Sequence, residues 1–428
     1  MTVPARPPAT RLGDMQVTRF LQRHWQRRPL VIRQALPGLL EGGSGRDASP
    51  GDGSQAGAGS QPPFGVREVL ALARDADVES RLVIAPTTGT GWQLRQGPFA
   101  RLPARSRPGW TVLVQGVDLH LPAGRALMDR FRFLPDARLD DLMVSYASDG
   151  GGVGPHVDSY DVFLLQVHGR RRWRLAPPGP WRLVPEVPLR LVDGFVATEE
   201  WLLEPGDMLY LPPGWVHEGT AVGECMTCSI GFRAPSAAEL RQAFFAYLAD
   251  HGGGAAAGDV ASPRRYRDRT RRAASRPAAI PDDMATTLRG WLEGWRPPAS
   301  LLEEFIGCHL TEPKPSVWFE PPARAELRPE RGDCIALAAK SRMLYRGRRI
   351  FLNGEVVALP ADGRPEALRL LRALADQRGL DAVRSARALR HPWLRATLLA
   401  WLAAGWIEAR PATASTSAAR TKDRDASA

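Results

Sequence analysis

Three side chains carry the strongest chemical signal in this chain. The segment Gly150-Gly151-Gly152-Val153-Gly154-Pro155-His156-Val157-Asp158 sets a histidine and an aspartate two residues apart. Side chains alternate along an extended strand, so His156 and Asp158 project to one side and can chelate one ion. Fifty-nine residues after Asp158, the segment Pro205-Gly206-Asp207-Met208-Leu209-Tyr210-Leu211-Pro212-Pro213-Gly214-Trp215-Val216-His217 closes a strand on a Pro-Pro-Gly turn and presents a second histidine. Two imidazoles and one carboxylate make the facial ligand set that leaves coordination positions open, the arrangement of non-haem Fe(II) oxygenases. A His-x-Asp pair alone recurs by chance. The second segment favours a metal site formed by His156, Asp158 and His217 over two unrelated histidines.

These residues need strands to hold them. From Trp110 to Arg233, short apolar runs such as Thr111–Val114, Leu142–Tyr146, Val162–Leu165 and Met208–Leu211 are separated by Gly and Pro about every ten residues. That spacing predicts an all-β barrel or sandwich, interrupted by one helix near Arg125–Phe133. Before it come a short helix at Phe20–Trp25 and strands at Pro29–Ile32 and Arg81–Ile84. After it, apolar residues fall at helical spacing in Ala238–Ala249, Met284–Trp295 and Leu301–Leu310. A hairpin over Ile350–Val357 turns on Asn353-Gly354, the pair that suits a type I′ turn. It is followed by helices at Pro365–Arg378 and Pro392–Ala404, which together read as a winged-helix-like module. The overall class is α+β. The expected order is a disordered 1–12, a catalytic domain over 13–235 with a disordered insertion at 42–62, a helical domain over 236–312, a winged-helix-like domain over 313–410 and a disordered tail over 411–428.

Composition sets the outer limits. The hydrophobic fraction of 44% across 428 residues supports a sizeable core. No uninterrupted apolar stretch is long enough for a membrane span, and the first twelve residues lack the apolar region of a secretory signal. Four cysteines exclude a disulfide scaffold and fit a reducing cytoplasm. The formal charge is +11, and Lys314, Lys340 and Lys422 are the only lysines, so the basic residues are almost all arginine. Such a skew fits GC-rich coding as well as attraction to a polyanion such as RNA. The densest basic run, Arg264–Arg272, reads first as a solvated face.

With these residues in view, residues 18–235 resemble the JmjC (cupin-like) 2-oxoglutarate oxygenases, and within them the bacterial ribosomal oxygenases that hydroxylate an arginine of a large-subunit ribosomal protein. The resemblance rests on Gly151–Asp158, Tyr160-Asp161-Val162-Phe163, Gly169–Arg174, His217-Glu218-Gly219 and Gly231–Pro235. It implies a double-stranded β-helix followed by helices that build a homodimer and a winged-helix-like domain. It further implies Fe(II) with 2-oxoglutarate and O₂ as cosubstrates, and an arginine of large-subunit protein sixteen as substrate. A histidine of another ribosomal protein is the runner-up substrate, with lysine demethylation third. A non-enzymatic scaffold that binds the ribosome or nucleic acid is the alternative of another class.

Several further residues follow. The far carboxylate of 2-oxoglutarate calls for a guanidinium. Arg170-Arg171-Arg172 offers three, and alternation permits Arg171 to face inward with its neighbours outward, or the reverse; the resemblance selects Arg171. Thr227 and Ser229 share one strand face and are expected at the cosubstrate. Tyr160 shares the parity of the metal ligands and is expected near the substrate. Asp149 is the acid expected to meet a basic substrate side chain, with Asp118 and Glu218 as rivals. Phe163, Leu165 and Trp215 are expected as dry walls. Cys225 and Cys228, on opposite faces of a strand, read as small core residues. Phe244, Phe245, Tyr247, Leu248, Trp291, Trp295, Leu302 and Phe305 leave more apolar surface than short helices can bury alone, which predicts self-association.

Overall fold

The computed structural model describes residues 7–39, 63–86, 91–251, 281–294, 296–322, 326–327, 333–360 and 365–410. The insertion at 42–62, the tail from 411, the Arg264–Arg272 run and Trp295 lie outside the described residues.

The chain forms two compact units. One comprises residues 1–234, 313–342 and 360–428; the other comprises 235–312 and 343–359. The first is built on a ten-stranded antiparallel assembly. Its main path runs Leu30–Ile32, Met208–Leu211, Val162–Ala176, Val216–Phe232, Leu139–Ala147, Trp110–Val114, Ser80–Ile84 and Gln93–Gln96. The two longest strands, Val162–Ala176 and Val216–Phe232, run side by side and serve both layers of the barrel. The first half of Val162–Ala176 pairs with Met208–Leu211, and its second half pairs with Glu199–Leu203.

Alternation sorts the apolar residues between two cores. Phe163, Leu165, Met208, Tyr210, Cys228 and Ile230 join the main core with Phe20, Trp110 and Phe131. Val162, Leu164, Trp173, Leu175, Leu209 and Leu211 face the barrel interior with Trp215. The expected dry wall is therefore corrected: Phe163 and Leu165 point away from the interior, and Val162 and Leu164 take their place. Alternation fixes that adjacent residues face opposite ways; only the packed layers fix which way. Cys225 packs with Ala147 and Ala221, so the two cysteines do face opposite sides.

The start of the chain also departs from expectation. Arg11–Leu12 pairs with Met15–Gln16, Ala9 and Leu12 are buried, and the Ala9 N–H donates to the Arg130 carbonyl at 2.8 Å. Ala9 and Leu12 join the main core, and backbone bonds from Gly13 to Ala35 and from Val17 to Thr10 hold the segment against it.

The helices Ala237–His251, Asp282–Gly294 and Ala299–Thr311 form in the second unit, where Phe305 packs against Phe244 and Tyr247 with ring centroids 5.1 and 5.5 Å apart. The hairpin Arg349–Leu352 to Glu355–Val356 belongs to this unit and turns on Asn353 and Gly354, both at positive φ. The helices Pro365–Gln377, Ala382–Arg390 and Pro392–Ala403 belong to the first unit with the strands Cys334–Leu337, Gly379–Leu380 and Ile407–Arg410.

Candidate metal and cosubstrate site

The two motifs meet through the backbone. His156 lies directly across from His217 in an antiparallel pair, and the Gly214 N–H donates to the Asp158 carbonyl at 2.9 Å. The Pro-Pro-Gly turn is thereby tied to the residue that follows the His156 strand. Gly152 allows a close approach on this side, since a Cβ there would lie 2.5 Å from the Gly219 carbonyl oxygen. The result is a compact cluster: one ligand atom each from His156, Asp158 and His217, all within 4.8 Å of one another. Among the described residues no other group of three such side chains has this geometry.

Each imidazole is set as a ligand. Nδ1 of His156 lies 3.0 Å from the Gly154 carbonyl, and Nδ1 of His217 lies 3.1 Å from the Trp215 carbonyl. A carbonyl can only accept, so both Nδ1 atoms carry a proton, which leaves Nε2 of each ring as the atom able to ligate a metal. Nε2 of His217 is 3.7 Å from Asp158 Oδ2, and the two histidine rings are 4.2 Å apart. Burial, with some help from the neighbouring His156, lowers the His217 pKa to about 4, so the ring is neutral at physiological pH. Two imidazoles and a carboxylate packed this closely are the donor set a divalent cation satisfies.

Arg171 completes the interior. It is 5% exposed, whereas Arg170 and Arg172 face solvent. Its guanidinium carbon lies 5.7 Å from the centre of the Trp173 ring, and that ring lies 6.0 Å from the His217 ring. Nε and Nη2 of Arg171 have no hydrogen-bond partner. A buried guanidinium with two unmet donors is costly unless an anion joins it. A carboxylate that bonds to these donors removes that cost.

The other expected residues separate. Ser229 is buried on the interior face opposite Leu164. Thr227 is buried on the same face, but its hydroxyl donates to Gln166 Oε1 at 2.8 Å. Tyr160 is 39% exposed, and its phenol pKa is raised by burial and by Asp158. Asp149 is exposed, its Oδ1 accepts from the Gly223 N–H at 2.8 Å, and it borders a groove with Arg172, Arg174, Glu200 and Thr220. Its two rivals are engaged elsewhere. Asp118 accepts from the Leu142 N–H and pairs with Arg125, and Glu218 pairs with Arg174. Two interior residues had not been singled out, Gln166 and Thr111. Gln166 shares the parity of Val162 and Leu164, which is the signal that could have found it. Thr111 is fully buried with an unpartnered hydroxyl, and nothing in its local sequence marks it.

The fold and this cluster define a JmjC (cupin-like) barrel with a metal-chelating mouth and a buried cation inside. The JmjC domain family model matches residues 126–240, and the ROXA-like winged helix model matches residues 295–408. The chain is 33% identical over 397 residues to the ribosomal protein uL16 3-hydroxylase of Escherichia coli, covering 90% of this chain and 96% of that protein. It is 34% identical over 230 residues to a probable ribosomal oxygenase of Haemophilus influenzae, covering 52% of this chain and 50% of that protein. The solved structure of the Escherichia coli ribosomal oxygenase YcfD in complex with cobalt and 2-oxoglutarate superposes with a TM-score of 0.73 at 30% identity, over 93% of this chain and 99% of that one. The chain belongs to the JmjC-domain ribosomal oxygenases.

Proposed function

We propose that this protein is an Fe(II)- and 2-oxoglutarate-dependent hydroxylase that acts on an arginine of large-subunit ribosomal protein uL16. One observation carries the reading: a two-histidine, one-carboxylate cluster shares a buried interior with a guanidinium whose donors are unmet. His156, Asp158 and His217 would hold the metal. Arg171 would hold the far carboxylate of 2-oxoglutarate, with Ser229 and Thr227 lining its path. Metal, 2-oxoglutarate and O₂ together supply an oxidant able to replace an unactivated C–H hydrogen by hydroxyl. The chain's own task is placement. The two Nδ1–carbonyl contacts aim the imidazoles, and Val162, Leu164 and Trp215 keep the interior dry. Asp149 and Tyr160 would meet the substrate, with the Asp149 carboxylate facing its guanidinium.

The test is the intact mass of each ribosomal protein from cells with and without this protein. The expected result is one missing oxygen atom on uL16 alone in the deletion strain. Loss of an oxygen from a different ribosomal protein would redirect the substrate assignment, and no difference in any would refute it.

The reading extends to assembly and place. The second unit exposes Phe245 at 62%, Leu292 at 81% and Ile306 at 45%. Apolar surface of this extent on three helices supports a homodimer. Light scattering should give about twice the chain mass of 46.9 kDa, and a monomer mass would reject pairing. The +11 charge supports work close to ribosomal RNA in the cytoplasm. No described helix is long and apolar enough to cross a membrane.

A further inference from the structure

The strand Val162–Ala176 reverses its inward parity midway. Val162 and Leu164 face the interior, and so do Trp173 and Leu175. Even-numbered residues point in at one end and odd-numbered residues at the other. Unbroken alternation from Leu164 would send Arg170 and Arg172 inward and Arg171 out to solvent. Two register shifts lie along this pairing, and only one of them reverses parity. From His168 to Arg170 the neighbour runs from Met226 to Val222 and gains an even number of residues, which leaves the parity unchanged. The reversal comes from the shift before it. Gln166 lies opposite Thr227 and His168 lies opposite Met226, so this strand advances two residues while its neighbour advances one. Val167 is the extra residue of a β-bulge.

The bulge is held from inside by Gln166. This side chain is fully buried. Its Nε2 donates to the His168 carbonyl at 2.7 Å and to the Gly169 carbonyl at 3.2 Å. Its Oε1 accepts the Thr227 hydroxyl at 2.8 Å, which orients the amide. A bulge interrupts the ladder and leaves carbonyls in need of donors; the Gln166 amide meets two of them. Gly169 completes the turn at φ +60°, where a Cβ would lie 2.0 Å from the Glu224 carbonyl oxygen. Two residues later comes Arg171.

We infer that Gln166 is a positioning residue for cosubstrate binding: by bracing the Val167 bulge it decides which of three consecutive arginines enters the barrel. This inference rests on the reading of Arg171 as the cation for 2-oxoglutarate. It gives Thr227 a role through Gln166, and it explains why a run of three arginines supplies a single buried guanidinium.

The experiment titrates 2-oxoglutarate calorimetrically into the cobalt-loaded full-length protein. Gln166→Met keeps length and fills the space without the amide. It should weaken 2-oxoglutarate binding at least about tenfold, because small misplacements of a positioning group are expensive. Cobalt affinity should stay within about twofold, since the three ligands lie on other segments. In turnover, the KM for 2-oxoglutarate should rise with kcat largely retained. Folded Gln166→Met with wild-type 2-oxoglutarate affinity overturns the inference, as does an equal loss of cobalt and 2-oxoglutarate binding. Gln166→Glu is the second variant: it keeps length and an acceptor for Thr227 but retains at most one donor, that of the protonated carboxyl, so a weakening in the same direction and no larger than that of Gln166→Met is expected. If neither variant folds, Gln166 serves fold stability and the inference falls. Arg171→Met tests the underlying reading separately. Unchanged 2-oxoglutarate binding there removes Arg171 as the cation, whatever Gln166 does. Loss of binding in Arg171→Met with none in the Gln166 variants keeps the cation and removes the bracing role.

Discussion

Two buried charged regions of the first unit differ in how their polar atoms are met. Around Asp161, Asp141 and Asp118 every carboxylate is occupied. Asp161 accepts from the Tyr210 hydroxyl at 2.7 Å, Gln26 Nε2 at 3.0 Å and Arg138 Nη2 at 3.0 Å. Asp141 accepts from the Gly116 N–H and lies 3.1 Å from Lys314, which also reaches Asp140. Asp118 takes the Leu142 N–H and Arg125. In the barrel interior Gln166 and Thr227 satisfy one another, but the polar atoms around Arg171 are left unmet. Arg171 has two unmet donors, the Trp173 and Thr111 polar atoms are unpartnered, and His156, Asp158 and His217 turn free ligand atoms toward one another. Burial of a polar group is costly unless it is paired. The satisfied region is architecture, tying Lys314 and Gln26 to the barrel strands. The unsatisfied region is where a ligand is to bind.

Removing Asp158 should show the contrast most strongly. Asp158→Ala is expected to lower turnover far beyond the roughly ten- to hundredfold typical of an outer partner of a metal site, and to remove stoichiometric metal. Its urea midpoint without metal should stay close to wild type, because Asp158 is only half-buried and the Tyr160 phenol that bonds to it is exposed and can turn to water. Elemental analysis and denaturation on one preparation check both halves. Wild-type turnover by this variant would end the proposed mechanism.

Asp161→Ala should behave in the opposite way. It strands the Tyr210 hydroxyl and the Arg138 guanidinium, and a stability loss of about 3 kcal/mol is expected. Where the variant is folded, metal and 2-oxoglutarate affinities should match wild type. A selective loss of ligand affinity would show that the two regions are not separate.

Lys314→Met should give the smallest effect, and one that depends on pH. Burial raises the Asp141 pKa to about 6, with Lys314 opposing the rise. The folded-state value lies above the unfolded one, so a charged Asp141 opposes folding above about pH 6 and the penalty fades as pH falls toward 4. Without Lys314 that penalty grows. Lys314 is partly exposed, so the expected cost is only about 1–2 kcal/mol at pH 8, shrinking at pH 5. Urea melts at the two pH values check the sign. A larger loss at pH 5 would contradict it.

The ligand set was legible because chemistry needs residue types that the chain uses sparingly: eight histidines, two of them in motifs ending at a turn or starting a strand. The hairpin at Asn353-Gly354 was legible because both positions require positive φ, which few residue pairs accept. Leu12 was not legible as an ordered residue, since the surface that covers it comes from distant sequence. The inward set was only half legible. Period two says that Val162 and Phe163 oppose each other, and nothing local says which one meets the interior.

The run Arg170-Arg171-Arg172 shows most directly what each level decided. The sequence by itself placed three cations one strand away from two histidines and an aspartate, and thereby determined the chemistry available. It could not choose among them, because alternation is symmetric under a shift of one residue. The tertiary structure made the choice: a single extra residue at Val167, held by a buried glutamine and a glycine that no side chain could replace, reverses the parity. The physical reason is that a bulge is a relation between two strands, and the partner that defines it lies about sixty residues away, at Met226 and Thr227.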